Sequence, residues 1–315
     1  MPDSAETSKS LASDQRERST VFQIWHRAPE NVKGCIWLVL ASLFFAVMTA
    51  AIKDVGQRIP VWEILFIRQL CVIAILGPQL YRSFPAGFKT ERLHLHGLRV
   101  GFSLLAMTTG FTAVIYMPLA QVTAISFART LFITLLAVLI LKEVVDLKRW
   151  GATVFGFLGV LIVLQPSLDG IDFYAGLAMA SAMSLAVVMV LTRIMAKTES
   201  PMAIMTYQSF GLTIAFAIPA ILMWQTPTAW ELLTMVVTGV LMTLAQYSNI
   251  KAYKHGEASA VQPMEYTRLV FAGLIGVMFF QEVPSLWTVA GSIVIFVGAI
   301  YSVREMRRDA RMAQE

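Results

Sequence analysis

Two arginines, Arg129 and Arg268, sit inside apolar runs at matching positions of two similar stretches. A guanidinium in such a run is expensive and ordinarily faces a cavity or a partner. Its planar fork suits a carboxylate or a phosphate. The chemistry these residues point to is anion binding in a cavity, or else structural pairing with a protein carboxylate or helix carbonyls. Glu265, the only acidic residue well inside a run, lies three residues before Arg268 and on the same helical face. It is either a static partner of Arg268 or a proton carrier. Ser126, Gln246, Tyr247, Gln262 and Tyr266 add hydrogen-bonding groups at depths where a solute can meet them, whereas Tyr116 is placed as an interfacial anchor. Pro263 frees a backbone carbonyl and permits bending. Arg68 and Glu63, five residues apart, fit a structural or gating pair near one surface. Glu143 and Glu282 end their runs at opposite surfaces, where they suit capping or interhelical bonding of loops.

The elements that hold these residues must be built for lipid. The chain is 57% hydrophobic and 14% charged with mean hydropathy +0.67, against about 25% charged in soluble domains. Ten runs long enough for helical spans follow one another, roughly 34–52, 62–81, 97–115, 120–141, 150–165, 173–195, 201–224, 228–249, 257–280 and 284–303. Helices satisfy their own backbone groups in lipid, and the alternation of a membrane β-barrel is missing. The net charge of +5 does not point to nucleic acid, because the basic residues punctuate the runs. Two cysteines exclude a disulfide framework, and no metal site is expected. The stretch 1–33 reads as a polar tail rather than a cleavable signal.

The basic residues also orient the chain. With the N-terminal tail and every second loop on one side, that side holds 20 of the 25 Lys and Arg. Lys53 and Arg58 alone lie opposite, and Arg68, Arg129 and Arg268 lie within spans. This split places both termini in the cytoplasm and supports an even number of spans. Sliding the chain along itself until Arg129 meets Arg268 also aligns Val122 with Val261, Phe132 with Phe271, Glu143 with Glu282 and Gly159 with Gly298, all without a gap. Five spans per copy is odd, so the copies are expected to lie upside down to one another, an arrangement typical of transporters with midplane sites. Counted at about 1.5 Å per residue, Arg129 and Arg268 lie about 13 and 16 Å from their membrane surfaces.

This pattern resembles the EamA branch of the drug/metabolite transporter superfamily. The residues carrying the likeness are Pro118-Leu119-Ala120, the LKEVV of 141–145, the FFQEV of 279–283, and the glycines Gly151, Gly156, Gly159, Gly291 and Gly298. It spans about residues 34–304. The resemblance implies a carrier of small metabolites in a bacterial inner membrane. It also implies a cavity between the first, third, fourth, sixth, eighth and ninth helices, with the fifth and tenth as supports. Ala152 and Gly156 at small-xxx-small spacing suit a homodimer face or packing within the chain.

The expected protein is an all-α polytopic membrane protein of ten helices in two inverted five-helix repeats, 34–166 and 172–304, flanked by cytoplasmic tails 1–33 and 305–315. It is expected to be a secondary transporter of an amino acid or related anionic or zwitterionic metabolite, without a cofactor. Its partners are the small-molecule solute and the lipid bilayer. The other reading is a membrane structural or sensory protein that transports nothing. An enzyme is disfavoured, since GxSxG, HExxH and the GxxxxGK[ST] phosphate loop are missing.

Overall fold

A computed structural model describes residues 29–82, 90, 92–142, 147–165, 172–256 and 261–298. The described chain is helical throughout, with no strand among the described residues. Helices α1 (Glu30–Val55), α2 (Val61–Arg82) and α3 (Leu93–Tyr116) come first. The next run is split into α4 (Leu119–Ser126) and α5 (Ala128–Leu141). Then follow α6 (Leu147–Leu164), α7 (Phe173–Met195), α8 (Pro201–Leu222) and α9 (Ala229–His255). A 3-10 turn, Gln262–Tyr266, leads into α10 (Thr267–Phe280), and α11 (Leu286–Gly298) closes the bundle. Seven stretches are long and apolar enough to cross a membrane: α1, α3, Leu119–Ile140, α7, Ala203–Leu222, α9 and Pro263–Phe280.

The ends of these helices follow from local chemistry. Asp172 and Ser200 accept from the backbone amides of Ala175 and Ala203, both at 3.0 Å, and so start α7 and α8. Pro201 adds a preset φ at the first position of α8. Thr228 and Glu231 form a reciprocal capping box at the start of α9. Lys142 (φ 53°) and Gln281 (φ 56°) stop α5 and α10 in the left-handed region. They fall on one another at the offset that lays Arg129 on Arg268.

Packing is closest between α1 and α9 and between α3 and α7, with α2 against α8. The α4–α5 run lies on α7, and the 3-10 turn with α10 lies on α1. Large apolar side chains such as Ile218, Leu222, Met278 and Phe279 face outward, as lipid-facing residues do. Between α6 and α11, a Cβ on Gly159 would stand 2.9 Å from the carbonyl oxygen of Gly291 and 2.9 Å from the amide nitrogen of Ile295. Neither backbone atom can give way. Gly159→Val is expected to cost about 1–3 kcal/mol by overpacking, read as a lower melting temperature in detergent. An unchanged melting temperature contradicts this packing. Gly156 packs within the chain as well, against Leu131 and near Gly298.

Two differences from the expected runs matter. The fourth and ninth runs are not continuous α-helices. The fourth turns at Phe127 (φ −70°, ψ −16°), and the ninth opens as 3-10 up to Tyr266 (φ −70°, ψ −15°). These two residues are equivalent in the two sequence copies. Pro263 stands at the start of the 3-10 turn of the second break; the first carries no proline or glycine at the turn.

Candidate functional site

The two breaks bring the membrane charges together. Arg129, at the start of α5, donates from Nη2 to Glu265 Oε1 at 3.1 Å. Arg268, at the start of α10, donates from Nη2 to Ser126 Oγ at 3.3 Å, and the same Nη2 lies 3.9 Å from Glu265 Oε1. The arrangement is reciprocal. Each arginine reaches the residue that stands three positions before the other. Ser126 and Glu265 therefore occupy equivalent positions of the two sequence copies, one neutral and one anionic. The sequence alone favoured Glu265 as a partner of Arg268. Its nearer partner is Arg129, at 3.1 Å against 3.9 Å to Arg268.

Aromatic rings wall the site. The guanidinium of Arg268 lies 4.6 Å from the Phe45 ring centroid and 5.0 Å from that of Phe127. Both distances are within cation–π range. Phe127 and Tyr266, the two break residues, meet ring to ring at 4.5 Å. Tyr266 also meets Phe296 edge-on at 5.9 Å. The Arg268 side chain is 9% exposed, and its Nε has no hydrogen-bond partner. Arg129 and Glu265 are more open, at 25% and 28%. Two cations against one anion leave a formal charge of +1.

Other predicted residues stand apart. Tyr247 and Gln246 are exposed on α9, where Tyr247 packs edge-on against Trp37 at 6.0 Å beneath Lys251. Neither bonds to Arg129 or Arg268 among the described residues. Tyr116 stacks on Tyr174 at 4.7 Å. Pro263 lies in the 3-10 turn. The side chain of Gln262, and Glu143 altogether, lie outside the described residues.

Arg68 and Glu63 do not pair. Five residues place them about 140° apart around a helix of 3.6 residues per turn. Glu63, fully buried, accepts instead from the Gln225 amide at 3.0 Å. Arg68, 2% exposed, lies 5.1 Å from the Phe111 ring and 3.8 Å from Met107 Sδ.

A second charged cluster was not foreseen. Lys53 at the end of α1 forms an ion pair with Glu282, just beyond α10, and donates to the Met117 carbonyl. Glu282 Oε2 accepts from the Leu119 amide at 2.9 Å, capping α4. A cavity of about 110 Å³ opens beside this clamp, lined by Pro118, Gln121, Gly276, Glu282 and Thr288. One signal was available in the sequence. Lys53 is one of only two cations expected on its side of the membrane.

An apolar-faced helical bundle with charges held inside it defines a multi-pass membrane protein of the solute-carrier class. The chain belongs to the EamA-like transporter family, whose pattern matches residues 32–165 and 173–304. It is a small-metabolite transporter of the drug/metabolite transporter superfamily, a bacterial membrane protein and not an enzyme. It is 26% identical to an S-adenosylmethionine uptake transporter of Rickettsia prowazekii, over 90% of this chain and 97% of that protein. It is 28% identical to a riboflavin transporter of Vibrio cholerae (90% and 98%) and 27% identical to a pseudopaline exporter of Pseudomonas aeruginosa (85% and 94%). A solved crystal structure shares the fold with a TM-score of 0.61 at 18% identity, covering 87% of this chain and 98% of the other.

Proposed function

We propose that the protein is a secondary carrier of the bacterial inner membrane that moves a small anionic or zwitterionic metabolite, an amino acid or a relative of one, by alternating access. The observation that carries this reading is the reciprocal pair of arginines, each reaching from one sequence copy into the other. A site built from both halves changes its exposure when the halves rock against each other. The formal +1 charge favours a solute with a carboxylate.

The ten-span inverted arrangement, with repeats 34–166 and 172–304, draws support from several pairs related by the same offset. Phe127 and Tyr266 share one turn geometry, and Lys142 and Gln281 share another. The closest packings, α1 on α9 and α3 on α7, exchange under the same relation. Termini in the cytoplasm agree with contacts at the two ends of the bundle. Glu30 bonds His255 at 2.6 Å at one end, while Lys53 meets Glu282 at the other. Among relatives, the uptake of S-adenosylmethionine is consistent with a solute bearing an amino-acid end.

Uptake of a metabolite panel into vesicles, with and without a pH gradient, tests this. Arg129→Ala is expected to reduce transport of the responsive solute by about tenfold, since the arginine is partly screened by solvent. Unchanged transport removes Arg129 as an anchor. No responsive solute at all favours the non-transporting reading. Against that reading stands the partial exposure of Arg129 and Glu265, which are not sealed in the protein.

A further inference from the structure

We propose that Glu265 sets the substrate class: the site reads a zwitterion, with Arg129 and Arg268 taking the solute's carboxylate and Glu265 taking its ammonium. This rests on the reading that the arginines hold the solute.

The argument begins with what each group leaves unused. Glu265 faces both arginines through one oxygen, Oε1. Its other oxygen, Oε2, takes no hydrogen bond from a described residue. A carboxylate accepts about four hydrogen bonds, so Glu265 retains acceptor capacity on its open side, where it is 28% exposed. The arginines retain donors. Arg129 uses only Nη2 in its bond to Glu265, and Arg268 keeps an unpartnered Nε. A guanidinium has five N–H donors. The groups that carry these spare donors and the spare acceptor are neighbours, since the Nη2 atoms of Arg129 and Arg268 lie 3.1 and 3.9 Å from Glu265 Oε1. That is the complement of an α-amino acid, whose carboxylate and ammonium are neighbours.

The asymmetry of the two copies supports the same assignment. At the position equivalent to Glu265 stands Ser126, whose hydroxyl donates to the Thr123 carbonyl at 2.7 Å while accepting from Arg268. Two serines would leave a charge of +2, suited to a dianion. One glutamate lowers it to +1 and adds the acceptor that an ammonium needs. Phe45 and Tyr266, partly exposed beside the charges, provide an apolar and aromatic surface for the solute's side chain.

The experiment measures binding of apolar and aromatic L-amino acids to the purified protein in nanodiscs, each beside its deaminated acid and its decarboxylated amine. The wild type is expected to bind an amino acid at least about tenfold more tightly than either analogue, the scale of one charge-assisted bond. Glu265→Gln is expected to erase the advantage over the acid without weakening the acid itself. Glu265→Ser, which places the residue of position 126 in both copies, is expected to do the same and to favour dicarboxylates. The assignment is overturned if no amino acid binds the wild type, if the acid binds equally well, or if both variants weaken all ligands in proportion. Should Arg129→Ala weaken binding while both Glu265 variants keep the wild-type ratio, the anchor stands and only the zwitterion reading is lost. Unchanged binding in Arg129→Ala removes the anchor itself.

Discussion

Arg268→Met is expected to cut uptake by about a hundredfold or more, within the range for truncating a buried charged partner, while leaving the melting temperature unchanged or raised. The two halves of this expectation have separate causes. Arg268 is nearly buried, touches one hydroxyl, lies at a long 3.9 Å from Glu265 and leaves its Nε without an acceptor. Burying a charge is costly unless pairing and hydrogen bonds compensate it. The compensation here is partial, drawn from Phe45, Phe127 and Ser126. Methionine keeps an apolar stem as far as the Nε position and removes the charge. Glu265 keeps Arg129, and Ser126 keeps Thr123, so no new orphan is made. Stability therefore does not depend on the guanidinium, whereas anion binding does. Vesicle uptake and thermal unfolding of the same purified variant check both halves. If melting temperature and transport fall together, Arg268 is a structural residue.

What could be read in advance divides along physical lines. The helical runs were legible because lipid forces each run to satisfy its own backbone. The arginines and Glu265 were legible because a charge in an apolar run is so expensive that it marks itself. Their connections were not. Glu265 bonds across to Arg129, a contact between the two sequence copies that spacing along one helix does not show; the chain turns at Phe127 and tightens from Gln262 to Tyr266 nearby. Pro263 hinted at the second break, but nothing local announced the first. The offset that lays Arg129 on Arg268 also lays Phe127 on Tyr266, and that comparison would have flagged both. Tyr247 and Gln246 illustrate the opposite case, exposed on α9 without a bond to either arginine among the described residues. The helix that carries them is apolar nearly all round, so periodicity gave no face, and depth alone suggested a role. Glu63 and Arg68 looked like a pair from proximity in sequence, yet helical geometry turns them apart.

Lys53→Met is expected to destabilise the protein by about 3–5 kcal/mol, the usual effect of stranding one member of a buried ion pair. The side chains of Lys53 and Glu282 are 7% and 17% exposed. Without the ammonium, Glu282 faces an apolar sulfur, and the Met117 carbonyl loses its donor. Glu282→Gln is expected to cost less. Its amide oxygen still accepts from Leu119, so the cap on α4 survives, and Lys53 keeps Met117. The double variant Lys53→Met/Glu282→Gln is expected to be more stable than Lys53→Met alone, with coupling of about 0.5–3 kcal/mol. Melting temperatures in one detergent complete the cycle, and strictly additive losses would mean the two residues act independently. The clamp ties the end of α1 to the α3–α4 junction and to the end of α10, elements from both sequence copies. Opening that end of the bundle requires these bonds to part. Variants lacking the pair should therefore label faster at a cysteine introduced at Gln121, which lines the adjoining cavity. A labelling rate independent of the pair would place the moving boundary elsewhere.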